Sequence, residues 1–291
     1  MKIVKFLGGL GNQMFQQAFL IALEQVSGEQ VYIDVSGYSR YIQHNGYELE
    51  RVFGIKNLEA NDEAIKKYTC CFNSRFLNKL YTKLSVIKSS DIKERYSNKY
   101  YPSILLAHKD GYYDGFWQCY KYFDKYRDLV LQSFQFVDFS DADNIELAKI
   151  ILEDKDSVSI HVRRGDYLNH PLYNGLCGLD YYKSAINEIK KLKGVNLNFY
   201  IFSNDIQWCK DNIINYLDGN HYIFVDWNKG VNSFRDMQLM SMCRYNIIAN
   251  SSFSWWSAYL NKNKDSVVIA PKKWINQPLE YSVQLPEWIL L

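Results

Sequence analysis

The sequence predicts an α/β protein built from two Rossmann-like domains, residues 1–150 and 151–291. Three observations lead there. The chain opens on a short apolar strand, a glycine turn and a helix-period stretch, the start of a βαβ unit. From about residue 143 onward, apolar runs alternate with helical patterns, as a parallel sheet covered on both faces requires. A chain of 291 residues that is 47% hydrophobic also has enough apolar surface for two ordinary cores.

Taken in order, the first strand runs from Ile3 to Leu7. The turn Gly8-Gly9-Leu10-Gly11 follows, then a helix from Gln13 to Val26 and a strand from Gln30 to Val35. Residues 36–130 are less regular, rich in tyrosine, and include the aromatic segment Gly115-Phe116-Trp117-Gln118. The second half predicts helices over 144–152, 181–192, 206–216, 233–243 and 253–260. Its strands are predicted over 158–162, 197–203, 222–225, 245–249 and 267–270. No internal repeat interrupts the pattern.

Composition excludes several classes. With 34 basic and 32 acidic residues interspersed, the net charge of +2 gives no electrostatic case for nucleic acid, though a local anion site is compatible with it. No run of about 18 apolar residues occurs, so no transmembrane segment is expected, and the N-terminus is not a signal peptide. The six cysteines (70, 71, 119, 177, 209 and 243) form neither a Cys-x-x-Cys pair nor a zinc-spaced cluster. Reduced thiols in a cytoplasmic protein are expected, with peripheral contact at the inner membrane face as the only membrane association foreseen.

Ligands of open α/β sheets sit outside the carboxyl ends of the strands, so the residues after each strand are the ones to inspect. After residue 162 come Arg163-Arg164-Gly165-Asp166, with His161 inside the strand's end. Paired guanidiniums there suit a phosphate or carboxylate, and the competing structural role is an ion pair to Asp166. After residue 203 come Asn204 and Asp205, which fit either a helix N-cap or a carboxylate that reads a nucleotide base. After residue 249 come Asn250, Ser251, Ser252, Phe253 and Ser254, then Trp255 and Trp256. Small hydroxyls at a helix start make an anion cradle, and capping alone needs one serine. Of the two tryptophans, at least one is expected in the core. Together these groups converge on a nucleotide diphosphate site.

In the first half, Gly9 and Gly11 fit the first two glycines of a dinucleotide fingerprint, and Asp34 stands where a ribose acid would. Met14 replaces the third glycine, which disfavours an NAD enzyme. The strings Asp141-Ala142-Asp143 and Asp154-Lys155-Asp156 read as a helix cap and a loop rather than metal ligands, and no nucleophilic triad assembles.

Several of these segments resemble the bacterial α-1,2-fucosyltransferases: Gly8 to Phe15, His161 to Asp166, Phe202 to Asp205, Asp236 to Cys243, and Asn250 to Trp256. Gly115–Gln118 with Lys121–Phe123 resembles a further segment of that family. The resemblance spans nearly the whole chain. It implies a GT-B architecture, two Rossmann-like domains facing a cleft, with an acceptor-side first domain and a GDP-fucose-binding second one. It further implies inverting transfer of L-fucose from GDP-β-L-fucose to the 2-hydroxyl of a terminal β-galactose on an oligosaccharide, lipid-linked or free, with no cofactor and no metal. Carried over, Arg163 holds the diphosphate, with Arg164 beside it. His161 and Asp205 border the nucleoside, Ser251, Ser252 and Ser254 cradle phosphate oxygens, and Asn250 and Phe253 flank them. Gly9, Gly11, Asn12 and Gln13 would hold the acceptor or the sugar. Asp166 is the acid nearest the motif and the candidate base, with Asp34 and Asp114 as further acids. A non-catalytic carbohydrate-binding protein, or transfer to a different hydroxyl, are the competing functions; the former would use the aromatics without needing the phosphate constellation.

Overall fold

The computed structural model describes residues 1–40, 44–69, 90–96, 98–277 and 283–291. The chain divides into two compact units, Met1–Gln135 and Phe136–Leu291. The division thus falls between residues 135 and 136 rather than 150 and 151, because the helix Ala142–Glu153 belongs to the second core. Its Leu147, Ala148 and Ile151 bury against Tyr200, Phe202, Leu239 and Met240.

The first unit holds a four-stranded parallel sheet in the order β2-β1-β4-β3: β1 (Lys2–Lys5), β2 (Val31–Asp34), β3 (Asp91–Lys93) and β4 (Gly111–Asp114). Periodicity points to β1 and β2 and misses the other two. The sequence of β4, Gly-Tyr-Tyr-Asp, reads as polar, yet Tyr112 and Tyr113 are buried. Their hydroxyls donate to Asp34 Oδ2 at 2.7 Å and to the Lys109 carbonyl at 2.6 Å, which removes the cost of burying them. The helix Leu10–Ser27 fills the space beside β1 and ends at Gly28, whose left-handed backbone (φ 67) closes the helix.

The second unit holds a six-stranded parallel sheet ordered β10-β9-β8-β5-β6-β7. Its strands are β5 (Ser157–Val162), β6 (Asn198–Ser203), β7 (His221–Val225), β8 (Tyr245–Ile247), β9 (Val267–Ala270) and β10 (Ile289–Leu290). Successive side chains of β6 serve opposite cores: Phe199 and Ile201 join Val158 and Ile160 on one side, and Tyr200 and Phe202 face the other. The helix Leu179–Lys193 covers the first side with Tyr182, Ala185, Ile186 and Ile189, a stripe at helical spacing. β10, only two residues long at the sheet edge, escapes a pattern-based search.

Chain order reverses beside the first central strand of each sheet. From β5 the chain runs outward to β6 and β7, then returns to place β8 on the other flank of β5. Such a switch point opens a crevice at the carboxyl ends of the two strands that part there. In the second unit those strands are β5 and β8, which lead into Arg163-Arg164 and Asn250-Ser251. In the first unit they are β1 and β4, which lead into the glycine turn and Gly115–Gln118.

Cys119, Cys209 and Cys243 are buried free thiols and Cys177 is a half-buried one; Cys70 and Cys71 lie outside the described residues.

Candidate active site

Every residue of β5 is buried, so the strand delivers its next two side chains to the rim at a fixed height. Arg163 Nη2 lies 2.9 Å from both carboxylate oxygens of Asp166, and its guanidinium sits 5.4 Å from the Tyr167 ring centroid. Its Nε is buried and has no hydrogen-bond partner among the described residues. One side of the fork is therefore anchored while a buried donor on the other is open, an arrangement that an incoming anion completes. His161, one residue inside the strand, likewise has a buried Nδ1 without a partner. Burial, reinforced by the Arg163 charge, pushes its pKa down to about 3, so the ring is neutral at physiological pH.

The two arginines part company. Arg164 turns to β6: its Nε donates to Asp205 Oδ2 at 3.1 Å, its backbone N–H donates to Asn204 Oδ1 at 2.9 Å, and its guanidinium lies 4.1 Å from the Trp208 ring centroid. Asp205 Oδ1 caps the helix Ile206–Asn212 by accepting the Trp208 N–H. Arg164 and Asp205 thus lock the ends of β5 and β6 together, and the base-reading expected of Asp205 competes with two bonds already made. Asn204 also explains Gly165: a Cβ there would collide with the Asn204 amide.

At the end of β8, Ser251 is the N-cap of the helix Ser252–Tyr259, its Oγ accepting the Phe253 N–H at 3.3 Å. The Tyr167 phenol meets the same Ser251 side chain. Phe253 packs its ring 5.8 Å from that of His161, so the β5 and β8 ends touch. Asn250 is buried, donating to the Trp274 carbonyl and accepting from Cys177 Sγ. Ser254 departs from the expected cradle: it is fully buried and its hydroxyl is 3.4 Å from the Ala249 and Ser251 carbonyls. It lies one helical turn further in than Ser251, which is itself only 5% exposed, and leaves Ser251 and the half-buried Ser252 as the serines nearest the strand end. Trp255 and Trp256 are both core residues.

The first-unit turn is also built differently from the expectation. The glycine whose freedom matters is Gly8, with φ 95; a Cβ there would stand 2.6 Å from Asn12 Nδ2. Gly9 caps the helix through its carbonyl, which accepts the Asn12 and Gln13 N–H groups, and Gly11 is buried within the first turn. Gln13 is fully buried. Its Nε2 donates to the carbonyls of Gly8 and Gly46, and its Oε1 accepts the Glu48 N–H. No part of it is left for a substrate, so Gln13 is a scaffold residue. Asn12 Oδ1 accepts from Gln118 Nε2 at 2.7 Å, tying the turn to the loop after β4. Asp34 is taken up by Tyr112 and the Ser36 N–H, which removes the ribose acid of an NAD site.

Two half-buried acids, Glu94 and Asp236, are not among the site residues that the sequence singles out, although Asp236 opens one of the family-like segments. Glu94 accepts the Phe116 and Trp117 N–H groups through Oε2, and burial raises its pKa to about 7. Asp236, on the first turn of the helix Phe234–Met242, is bonded to Asn228 Nδ2 at 2.9 Å, and burial raises it to about 7 as well. A carboxyl whose folded pKa lies above its unfolded value stabilises the fold below the unfolded pKa, and this contribution is lost as pH rises through the folded one. Asp236→Asn is therefore expected to gain roughly 2–3 kcal/mol of stability over the parent between pH 5 and pH 8. Urea unfolding of variant and parent across that window measures it; equal stability differences at both pH values would contradict the shift.

One acid of each Asp-x-Asp string is structural. Asp141 caps the helix Ala142–Glu153, while Asp154 accepts from Asn198, Tyr200 and the Asp156 N–H. Among the described residues no cluster of His, Cys, Asp or Glu is arranged to hold a metal, and no helix is long and apolar enough to cross a membrane.

Two parallel α/β units, the second with an open buried Nε on Arg163 and an unpartnered Nδ1 on His161 at its switch point, are the parts of a GT-B-type glycosyltransferase fold. The chain belongs to Glycosyl transferase family 11, whose sequence profile matches residues 1–291. It is 34% identical to an alpha-1,2-colitosyltransferase of Escherichia coli over 94% of this chain and 92% of that one. It is 24% identical to galactoside alpha-(1,2)-fucosyltransferase 1 of Rattus norvegicus over 97% of this chain and 70% of that one. Among solved structures, fucosyltransferase NodZ from Bradyrhizobium shares the fold, with a TM-score of 0.52 at 15% identity, covering 88% of this chain and 91% of that one.

Proposed function

We propose that the chain transfers L-fucose from GDP-β-L-fucose to the 2-hydroxyl of a terminal β-galactose, giving Fucα1-2Gal on an oligosaccharide or surface glycan. The observation that carries this is the half-anchored Arg163, with its buried Nε open beside the neutral His161 and the Ser251 helix start. A β-linked donor and an α-linked product require inversion. The acceptor oxygen bonds to the anomeric carbon as the bond to the diphosphate breaks, and GDP departs with the electron pair. Charge grows on the leaving diphosphate, where Arg163, the helix start and the hydroxyls of Ser251 and Ser252 stabilise it. Asp166 serves as the partner that orients Arg163 rather than as the general base, since both of its oxygens face Nη2.

A second donor is supported by the similarity to the colitosyltransferase: L-colitose is L-fucose without its 3-hydroxyl. Incubation with GDP-L-fucose or GDP-L-colitose and a panel of β-galactosides, followed by linkage analysis, tests both. Transfer from GDP-fucose to the galactose 2-hydroxyl is expected. Transfer from GDP-colitose alone would reassign the donor, and no transfer from either would overturn the proposal.

Catalysis needs neither a cofactor nor a metal in this scheme, because protein groups supply the charge and Asp141 and Asp154, one acid of each Asp-x-Asp string, are engaged in the fold. Full activity in excess EDTA is expected; loss restored by manganese or magnesium would overturn the metal-free mechanism. A cytoplasmic protein meeting a lipid-linked or free glycan at the inner membrane face fits this chemistry.

A further inference from the structure

Tyr167, like Phe253, makes contacts that join the two strand ends of the second unit, and nothing so far explains why it is there. It sits in a loop whose other residues, Gly165, Asp166, Leu168, Asn169 and His170, are exposed, yet its own phenol is largely withdrawn from solvent. Burial pushes the phenol pKa up, so the hydroxyl stays protonated. The Arg163 guanidinium lies 5.4 Å from its ring centroid. The ring also stacks on Tyr173, with centroids 4.5 Å apart and planes at 23°, and Tyr173 stacks in turn on His170 at 4.5 Å and 24°. The loop beyond is fixed by Asn276, which donates to the carbonyls of Pro171 and Asn174 and, through its backbone N–H, to that of Leu172. The column of rings therefore has a firm base. Its top, the Tyr167 hydroxyl, meets the side chain of Ser251, whose Oγ accepts the Phe253 N–H and has a second lone pair for the protonated phenol, leaving its own proton for a ligand.

We infer that Tyr167 is a positioning residue that sets Arg163 at the end of β5 and Ser251 at the end of β8 to one spacing, so that both address the same diphosphate. The inference rests on the nucleotide site proposed above. Two groups on separate strand ends hold one anion well only if their separation is preset; otherwise binding has to order them. The ring restricts the guanidinium while the hydroxyl restricts Ser251, and neither contact touches the donor. Loss of Tyr167 should thus weaken the grip on the diphosphate and leave acceptor binding alone.

The test is GDP binding by calorimetry on the full chain, with steady-state kinetics alongside. Tyr167→Phe keeps the stack and loses only the hydroxyl; a rise of about three- to tenfold in the GDP Kd and the donor KM is expected, with the acceptor KM unchanged. Tyr167→Ala also removes the ring beside Arg163 and should raise the GDP Kd about 100-fold. Tyr167→Phe introduced into Ser251→Ala should add little to the loss that Ser251→Ala causes alone, because the phenol acts on the site through that hydroxyl. Far-ultraviolet dichroism and Tm check that each variant is folded; a purely structural tyrosine would lower Tm or the active fraction without moving the GDP Kd. If the parent binds GDP, yet Tyr167→Phe binds within twofold of the parent or the double variant is strictly additive, the positioning role is overturned. If the parent itself fails to bind GDP, the nucleotide site falls and this inference falls with it.

Discussion

Arg163→Lys is expected to lower kcat by about 10²- to 10³-fold, although the charge is kept. In the parent one fork nitrogen is held by Asp166 while the buried Nε stays open. A lysine ammonium has one nitrogen at the end of a flexible stem. It can meet Asp166 or the diphosphate, but it cannot hold the planar geometry that serves both. Because the bond strengthens as the diphosphate gathers charge, its loss should appear mainly in kcat, with a smaller rise in donor KM. Steady-state kinetics with saturating acceptor measure this, and near-parental turnover would remove Arg163 from the leaving-group site. Asp166→Asn should give a weaker version of the same effect, since the amide still accepts from Nη2 but no longer as a charged partner.

Gln13→Ala is expected to cost about 3–5 kcal/mol of stability, the largest single-residue effect foreseen in the first unit. The side chain is fully buried and bridges three backbone groups, the carbonyls of Gly8 and Gly46 and the N–H of Glu48. Alanine leaves all three without that partner and opens a cavity beside the glycine turn. Urea or thermal unfolding measures the loss. A ligand-binding Gln13 would behave differently, with an unchanged unfolding midpoint and a raised substrate KM. Gln13→Glu separates the two further. It fits the same space, but its carboxylate cannot donate to the two carbonyls, so it should destabilise the fold more at pH 8 than at pH 5.

The second unit was largely legible in the sequence because its strands are buried on both faces and read as continuous apolar runs between helical stripes. Val267–Ala270 coincides with its predicted limits, and the helices differ by a residue or two at most ends. The one larger departure is 206–216, where the α-helix stops at Asn212 and a tighter 3₁₀ turn, Ile214–Tyr216, follows. The first unit was less legible because tyrosine does much of its core packing. β4 buries Tyr112 and Tyr113 only because Asp34 and the Lys109 carbonyl take up their hydroxyls, and those partners are 78 and 4 residues away in the chain. No local pattern encodes a partner so distant.

For the candidate site, the sequence alone determined where to look. A buried strand followed by two arginines, and another followed by a serine-rich helix start, mark the carboxyl ends of parallel strands where a ligand would sit. Which residues are free to act was decided only by the tertiary structure. Neighbouring side chains with the same chemistry meet different surroundings: Arg163 keeps an open buried donor while Arg164 is locked to Asp205 and Trp208. Ser251 caps the helix at the strand end, whereas Ser254, one turn on, is sealed in the core with its hydroxyl against the backbone. The physical reason is common to all of them. A polar group's chemistry is written in its residue type, but whether that capacity is already satisfied depends on partners that only folding brings within hydrogen-bond distance.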